Sequence, residues 1–318
     1  MHGGAISMQV DLNRFCRPLA FLPARLVTPV FIHCSRYRKG FMTDTIEQYK
    51  GALIHHGSFS RRIYLMDLAD ADPFTLPDEL VGLACRNGYS KIIAKVPLGF
   101  SDPFLECGYR EEARIPGFYG GRDMMLFLAL FLDSNRAVAK DGDDIGKIAV
   151  MAHALPHSPV EAVAEEFQIR QCTPDDIPAM SAIYREVFPS YPFPIDDPEW
   201  LLETMRTHVD YYGVEHGGRL VALASSEMDL VGKSVEMTDF ATLPEWRGHG
   251  LALHLLRVME EGMRSRGMLT AFTIARAASV GMNITFARAG YLFGGTLVNN
   301  TNISGGIESM NVWHKSLH

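Results

Sequence analysis

Cysteine is scarce in this chain of 318 residues: there are five, Cys16, Cys34, Cys85, Cys107 and Cys172, scattered and odd in number. Lacking paired spacing, they exclude a disulfide-framed module and a thiolate metal cluster, and they read as the reduced thiols of a cytoplasmic protein. Long apolar runs are also missing. A membrane-spanning helix needs about 20 consecutive apolar residues, and the nearest stretch, Pro18 to Cys34, is broken by Pro23, Arg25 and Pro29. Positive charge is not in excess either: 30 Lys and Arg stand against 37 Asp and Glu, a formal net charge of −7. That balance argues against binding nucleic acid through its phosphates and suits a small cationic substrate better. Several catalytic signatures are absent as well. There is no G-x-x-x-x-G-K-[ST], no G-x-G-x-x-G followed by an acid on the next strand, no H-E-x-x-H, no C-x-x-C and no G-x-S-x-G elbow. His153 and His157 are four apart, but Pro156 between them spoils a helical metal pair. No metal is expected.

What remains is an ordinary globular composition, 47% hydrophobic and 21% charged, with length enough for two domains. Residues 1–41 are basic, nearly free of acid and without periodicity. They read either as a targeting-like leader or, preferably, as a disordered extension upstream of Met42. Residues 42–133 then alternate strands and helices: "RRIYLMDL" and "KIIAKV" are strands, "LPDELVGLACRNG" is a helix stopped by Gly88, and "DPFLECGY" is a short helix. The run "DMMLFLALFL", Asp123 to Leu132, fits a long strand or a buried helix, and periodicity does not separate the two. Residues 134–166 turn polar and proline-bearing, as a linker with one helical turn would. From Phe167 to the end a second α/β pattern follows, including the strand Val235 to Thr242 and the amphipathic helix Leu251 to Arg266.

The two patterns echo each other. "RNGYSKIIAKV…FLECGY" parallels "SRGMLTAFTIAR…FARAGY": a glycine-stopped helix, an apolar strand, then Phe, three residues and Gly-Tyr. Two similarly folded halves are therefore expected. Only the second contains "DFATLPEWRGHGLALHLL", in which a strand passes through a glycine-rich turn straight into a helix. A helix N-terminus offers unpaired N–H groups and about half a positive charge, Gly248 and Gly250 allow close approach, and Arg247 adds a cationic contact. Such a junction suits a pyrophosphate.

The spacing Arg247-x-x-Gly250-x-Ala252, between a strand and an amphipathic helix, resembles the signature of the Gcn5-related N-acetyltransferase superfamily. "EMTDFATLPEWRGHGLA", "TIARAASVGMNITFARAGY", "GTLVNNTNISGGIESMNVWHK" and "KVPLGF…IPGFYGG" together are similar to the β-lysine N-acetyltransferase family, over roughly Met42 to His318. The resemblance implies an α+β fold of two acetyltransferase-like halves, the N-terminal one (42–133) degenerate and the C-terminal one (167–318) catalytic, each a mixed sheet flanked by helices. It implies acetyl-CoA as cosubstrate and the ε-amine of β-lysine as acceptor. The product would be the compatible solute Nε-acetyl-β-lysine, made for osmoadaptation in the cytoplasm beside a lysine 2,3-aminomutase. Another small amine as acceptor, or acyl-CoA binding without turnover, are the alternatives. Neither composition nor spacing speaks to the oligomeric state.

By the same resemblance, Arg247, Gly248, His249, Gly250, Leu251 and Ala252 cradle the pyrophosphate, while Phe240, Ala241 and Thr242 face the pantetheine arm and the thioester. Asn283 is a candidate contact to that arm, with a structural role as its alternative. An ammonium of pKa near 10.4 must lose its proton before it attacks. Glu236 is the first candidate for base or relay and Asp239 the second; three positions apart, they would face opposite sides of an unbulged strand. The superfamily's tyrosine general acid is replaced by Phe286. In the acceptor loop "SYPFPIDDPEW", Tyr191 and Asp196 are candidate contacts to a cation, and Asn299 and Asn300 are candidate hydrogen-bonding partners of the acceptor, with turn and bulge duty as the other reading.

Overall fold

The structure is a computed structural model that describes residues 44–139 and 163–318, together with positions 148 and 150. The expected extension 1–41, most of the expected linker, and His153 and His157 lie outside the described residues. The first half comprises β1 (Thr45–Tyr49), β2 (Ala52–Gly57), β3 (Arg62–Asp67), α1 (Leu76–Asn87), β4 (Lys91–Pro97), α2 (Asp102–Glu106), β5 (Arg110–Tyr119) and β6 (Asp123–Phe131). The second comprises β7 (Phe167–Gln171), α3 (Ile177–Val187), α4 (Pro198–Thr207), β8 (Val209–His216), β9 (Arg219–Asp229), β10 (Ser234–Thr242), α5 (Leu251–Ser265), β11 (Thr270–Arg276), α6 (Val280–Arg288), β12 (Leu292–Ile303) and β13 (Gly306–Ser316). All thirteen strands join one mixed sheet in the order β1-β2-β3-β4-β6-β5-β12-β13-β11-β10-β9-β8-β7.

The echo in the sequence is an echo in three dimensions. Each half contains one parallel strand pair, β3 with β4 and β10 with β11, and each pair is crossed by a helix. Both crossover helices end at a left-handed glycine, Gly88 at φ +66° and Gly267 at φ +74°, where only a residue without Cβ escapes strain. In each half the Phe-x-x-x-Gly-Tyr segment places the two rings edge to face, 5.3 Å apart for Phe104 and Tyr109 and 5.1 Å for Phe286 and Tyr291. Among the described residues, the first half has no counterpart of β7.

The ambiguous run at Asp123 is strand β6, paired on one side with β4 and on the other with β5. It reads as continuously apolar because both its faces are covered. Leu126 and Leu128 pack with α1 residues such as Leu80, whereas Met125, Phe127 and Ala129 join Phe272, Leu297, Met310 and Val312 of the second half. The face of the first half away from α1 and the face of the second half away from α5 thus share one core. Their sheets meet edge to edge where Gly295 of β12 pairs with Ala113 of β5. A Cβ at Gly295 would stand 2.2 Å from the Glu112 carbonyl oxygen, so any side chain there would force the halves apart.

Buried polar groups stitch the same seam. Lys91 Nζ donates to Glu112 Oε2 and to the Val298 carbonyl, both at 2.7 Å, and Val298 N–H donates to Glu112 Oε1 at 2.9 Å. Burial pushes the Lys91 ammonium down to about 8, while Glu112 opposes the shift. Residues Ser134–Ala137, at the head of the expected linker, form a 3₁₀ turn built into the seam. The guanidinium of Arg136 donates to the carbonyls of Ser60 (2.7 Å), Arg61 (3.1 Å) and Asn299 (3.0 Å) and to Ser90 Oγ (2.6 Å).

Candidate active site

Strands β10 and β11 run side by side only from the pair Ser234 and Thr270 to the pair Glu236 and Phe272. Beyond Glu236, β10 follows β9, where Thr238 opposes Ser225 and Ala241 opposes Leu223. Asp239 and Phe240 therefore face the single residue Ala224, a β-bulge, with Asp239 at φ +54°. The two parallel strands part at this point and open a cavity of about 640 Å³. Thr238, Asp239, Phe240 and Thr242 line one wall, and Thr273 to Arg276 line the other.

At the far end of β10 the chain turns through Pro244–Trp246 and enters α5. Gly248 (φ +86°) and Gly250 (φ +70°) hold left-handed conformations, and a Cβ at Gly248 would meet nothing within 4 Å. Gly248 is thus glycine for its backbone, which leaves open space above the loop. Gly250 is the N-cap of α5, and no side chain caps the helix, so its first amides face the cavity unpaired. Arg247 Nε donates to the Thr242 carbonyl at 3.3 Å, tying the loop to the strand end. Arg247, Gly248, Gly250, Leu251 and Ala252 all line the cavity. His249 turns its ring toward the Trp246 carbonyl (3.2 Å) and Phe167 (5.7 Å between ring centroids). Ala241, between the lining residues Phe240 and Thr242, has its side chain in the core. The combination fits a ligand with a diphosphate at one end and a slender arm lying between two splayed strands.

The bulge changes the expectation for the two acids. Without it Glu236 and Asp239 would face opposite sides; with it Asp239 returns to the face of Glu236, because its Oδ2 accepts from Ser225 Oγ at 2.6 Å and its Oδ1 from Tyr191 Oη at 2.5 Å. Burial raises the Asp239 carboxyl above its ordinary range, and the Ser225 and Tyr191 hydroxyls pull the other way. For Glu236, burial followed by the negative charges of Glu227 and Asp239 pushes the carboxyl up to about 8. Asp239 and Tyr191 line the cavity, whereas Glu236 sits where the strands part, opposite Glu227 of β9.

Four candidates prove to be elsewhere. Asn283 is fully buried and fully occupied: its Nδ2 donates to the carbonyls of Arg276 (3.1 Å) and Ser279 (2.8 Å), while its Oδ1 accepts from Asn311 Nδ2 and Trp313 Nε1, each at 2.9 Å. It holds the turn between β11 and α6 and has no group left for a ligand. Asn299 donates to the carbonyls of Arg136 (2.8 Å) and Val138 (2.9 Å), and the Asn300 carbonyl accepts from Arg62 at 3.1 Å. Both are buried in a bulge of β12 that locks the halves together. Asp196 turns outward to Arg185 at 3.3 Å. Phe286 is buried against Phe240 and Tyr291, so no phenol stands at that position. The sequence reading missed Ser225 and the Tyr191 contact to Asp239, because both depend on a bulge that no residue type announces.

A parallel strand pair split at a bulge, with a glycine loop feeding an uncapped helix beside the split, defines the acetyltransferase class. Residues 177–291 match the model of the acetyltransferase (GNAT) family. The β-lysine N(6)-acetyltransferase of Methanococcus maripaludis is 37% identical over 275 residues, covering 86% of this chain and 98% of that protein. The β-lysine N(6)-acetyltransferase of Methanosarcina mazei is 31% identical over 263 residues, 75% of this chain and 95% of that one. The N-acetyltransferase YodP of Bacillus subtilis is 30% identical over 266 residues, 84% and 96% respectively. The chain belongs to the β-lysine N(6)-acetyltransferase family within the GNAT acetyltransferases. The likeness extends well beyond the GNAT match and takes in the first half.

Proposed function

We propose that the protein transfers the acetyl group of acetyl-CoA to the ε-amine of β-lysine in a direct ternary complex, using its own side chains and no metal. The observation that carries this reading is the bulge at Asp239 and Phe240. It sets a backbone break, a buried carboxyl and the mouth of a cavity within two residues of each other, and the same cavity reaches the uncapped start of α5. The diphosphate of acetyl-CoA would rest on Gly248, Gly250 and the first amides of α5, with Arg247 adding charge. Its arm would follow the edge of β10, where Phe240 and Ala241 offer N–H groups to the oxygen that gains charge as the amine attacks.

Asp239 is the proton acceptor in this reading. It stands in the cavity, its raised pKa brings it closer to an amine's than an exposed aspartate would be, and Tyr191 and Ser225 keep it oriented. Tyr191 lies at the cavity wall, where the superfamily's tyrosine is missing from position 286, and is placed to return a proton to the departing thiolate. Residues 42–133 would be the degenerate half and 167–318 the catalytic one. On this reading the reaction would follow a lysine 2,3-aminomutase in the cytoplasm and yield a compatible solute. Among the described residues no helix is long and apolar enough to cross a membrane.

The test is to supply acetyl-CoA with β-lysine, lysine and spermidine in turn and to follow free thiol. Turnover with β-lysine well above the others supports the reading. CoA binding without thiol release from any amine overturns it.

A further inference from the structure

The first half has no cofactor loop, yet its helix-free face carries polar groups aimed at the second half. On β3, Ile63 and Leu65 pack beneath α1, so Arg62 and Tyr64 point the other way; on β4, Ile92, Ala94 and Val96 face α1, while Ile93 and Lys95 share the face of Tyr64. Across the seam, Glu227, Glu236 and Phe272 are register partners on β9, β10 and β11 and occupy one face. The two faces touch. The rings of Phe118 and Phe272 are 5.2 Å apart, Lys95 Nζ lies 5.6 Å from the Phe118 ring centroid, and Tyr64 and Tyr191 pack on the same cluster.

The rim of this shared core thus gathers two carboxyl groups, one ammonium and one phenol, Glu227 exposed and Glu236, Lys95 and Tyr64 partly so. Burial and then the charge of Glu236 raise the Tyr64 phenol, and the Lys95 charge works on Glu236 against its burial. These groups do not satisfy one another. Glu227 and Glu236 are carboxyl groups directly opposed on adjacent strands, an arrangement that costs stability when both are ionised. Among the described residues neither the Lys95 ammonium nor the Tyr64 hydroxyl has a hydrogen-bond partner. An ammonium and a phenol without such partners, facing two carboxyl groups at an accessible seam, form a place that a ligand of complementary charge can complete.

We propose that the first half supplies part of the acceptor site, with Lys95 and Tyr64 receiving the carboxylate of a diamino acid and Glu227 and Glu236 its non-reacting ammonium. The inference rests on the acetyltransferase reading given above. A diamino acid carries two ammonium groups and one carboxylate, the inverse of two carboxylates and one ammonium in the seam. Its reacting amine then reaches Asp239, which lines the cavity at the bulge, while Glu227, half exposed, gives the seam its contact with solvent. The first half persists without its own cofactor site because it reads the acceptor.

The experiment uses the full chain with three matched acceptors: β-lysine, 1,4-diaminopentane, which lacks the carboxylate, and 6-aminohexanoate, which lacks the second amine. Lys95→Gln is expected to raise KM about tenfold for both carboxylate-bearing acceptors, a loss of about 1.4 kcal/mol, and to leave the diamine within about twofold. Glu227→Gln is expected to do the reverse, impairing the two diamines and sparing 6-aminohexanoate. Tyr64→Phe should follow Lys95→Gln, and Lys95→Arg should restore most of the loss. CoA affinity, measured on every variant, should stay within about twofold of wild type and so reports an intact fold. Equal losses on all three acceptors, or no change on any, overturn the seam site while leaving the reaction untouched. A wild type that releases no thiol with any of them overturns the reaction and the seam site together.

Discussion

The most demanding consequence of this site concerns Glu236. Folding raises its carboxyl from an ordinary 4.5 to about 8, chiefly through burial and then through Glu227 and Asp239. Between those values the folded protein holds a proton that the unfolded chain has released, so stability falls as pH rises from 4.5 through 8 and is unaffected by this group below 4.5. At 1.36 kcal/mol per pH unit the loss has a ceiling of about 5 kcal/mol, which the partial exposure of the side chain lowers to about 3 kcal/mol. Glu236→Gln keeps the shape and polarity of the protonated acid but does not titrate. Urea denaturation of both proteins at pH 5 and pH 8.5 should give stabilities within about 1 kcal/mol of each other at the lower pH, and a variant more stable by about 3 kcal/mol at the higher. Saturating diamino acid should shrink that difference, because an ammonium beside Glu236 favours its charged form. Parallel pH dependences for wild type and variant would refute the assignment of a raised Glu236.

Three further outcomes are expected. Asp239→Asn should lower kcat about 10²- to 10⁴-fold, the usual contribution of a positioned base, with the CoA dissociation constant unchanged by calorimetry; retained turnover would remove Asp239 from the chemistry. Gly250→Val should weaken CoA binding, since a β-branched residue at φ +70° is strained by about 1–2 kcal/mol and the strain falls on the helix N-terminus that meets the diphosphate. Asn283→Ala should lower stability by about 2–4 kcal/mol, because it strands the Trp313 and Asn311 donors in the core; CoA affinity should be unchanged in the folded fraction, and a selective loss of affinity would restore the pantetheine contact read from sequence.

Much of the fold was legible because its punctuation is local. Gly88, Gly108, Gly267 and Gly290 mark helix ends by a conformation that other residues enter only with strain, and the Phe and Tyr around Gly108 and Gly290 carry the repeat. The cofactor loop was legible for the same reason, since Gly248 and Gly250 stand in a short segment whose geometry needs them. The acceptor end was not. Alternation along β10 puts Asp239 opposite Glu236, and only a backbone bulge reverses it. Asn299 and Asn300 look like ligand contacts in isolation, but their partners, Arg136 and Arg62, lie more than 160 positions earlier in the chain. Lys95 and Tyr64 give no sign in sequence of facing the second half, because the face they occupy is settled by how two sheets meet.

Acetylation of the terminal amine of a diamino acid leaves one product, which NMR identifies when [1-¹³C]acetyl-CoA and β-lysine are supplied and thiol release is recorded in the same sample. The expected spectrum has a single new amide whose carbonyl couples to the ε-methylene protons, in equal yield with free CoA. An amide at the β-nitrogen, or thiol released without any amide, would contradict acetylation at the terminal amine.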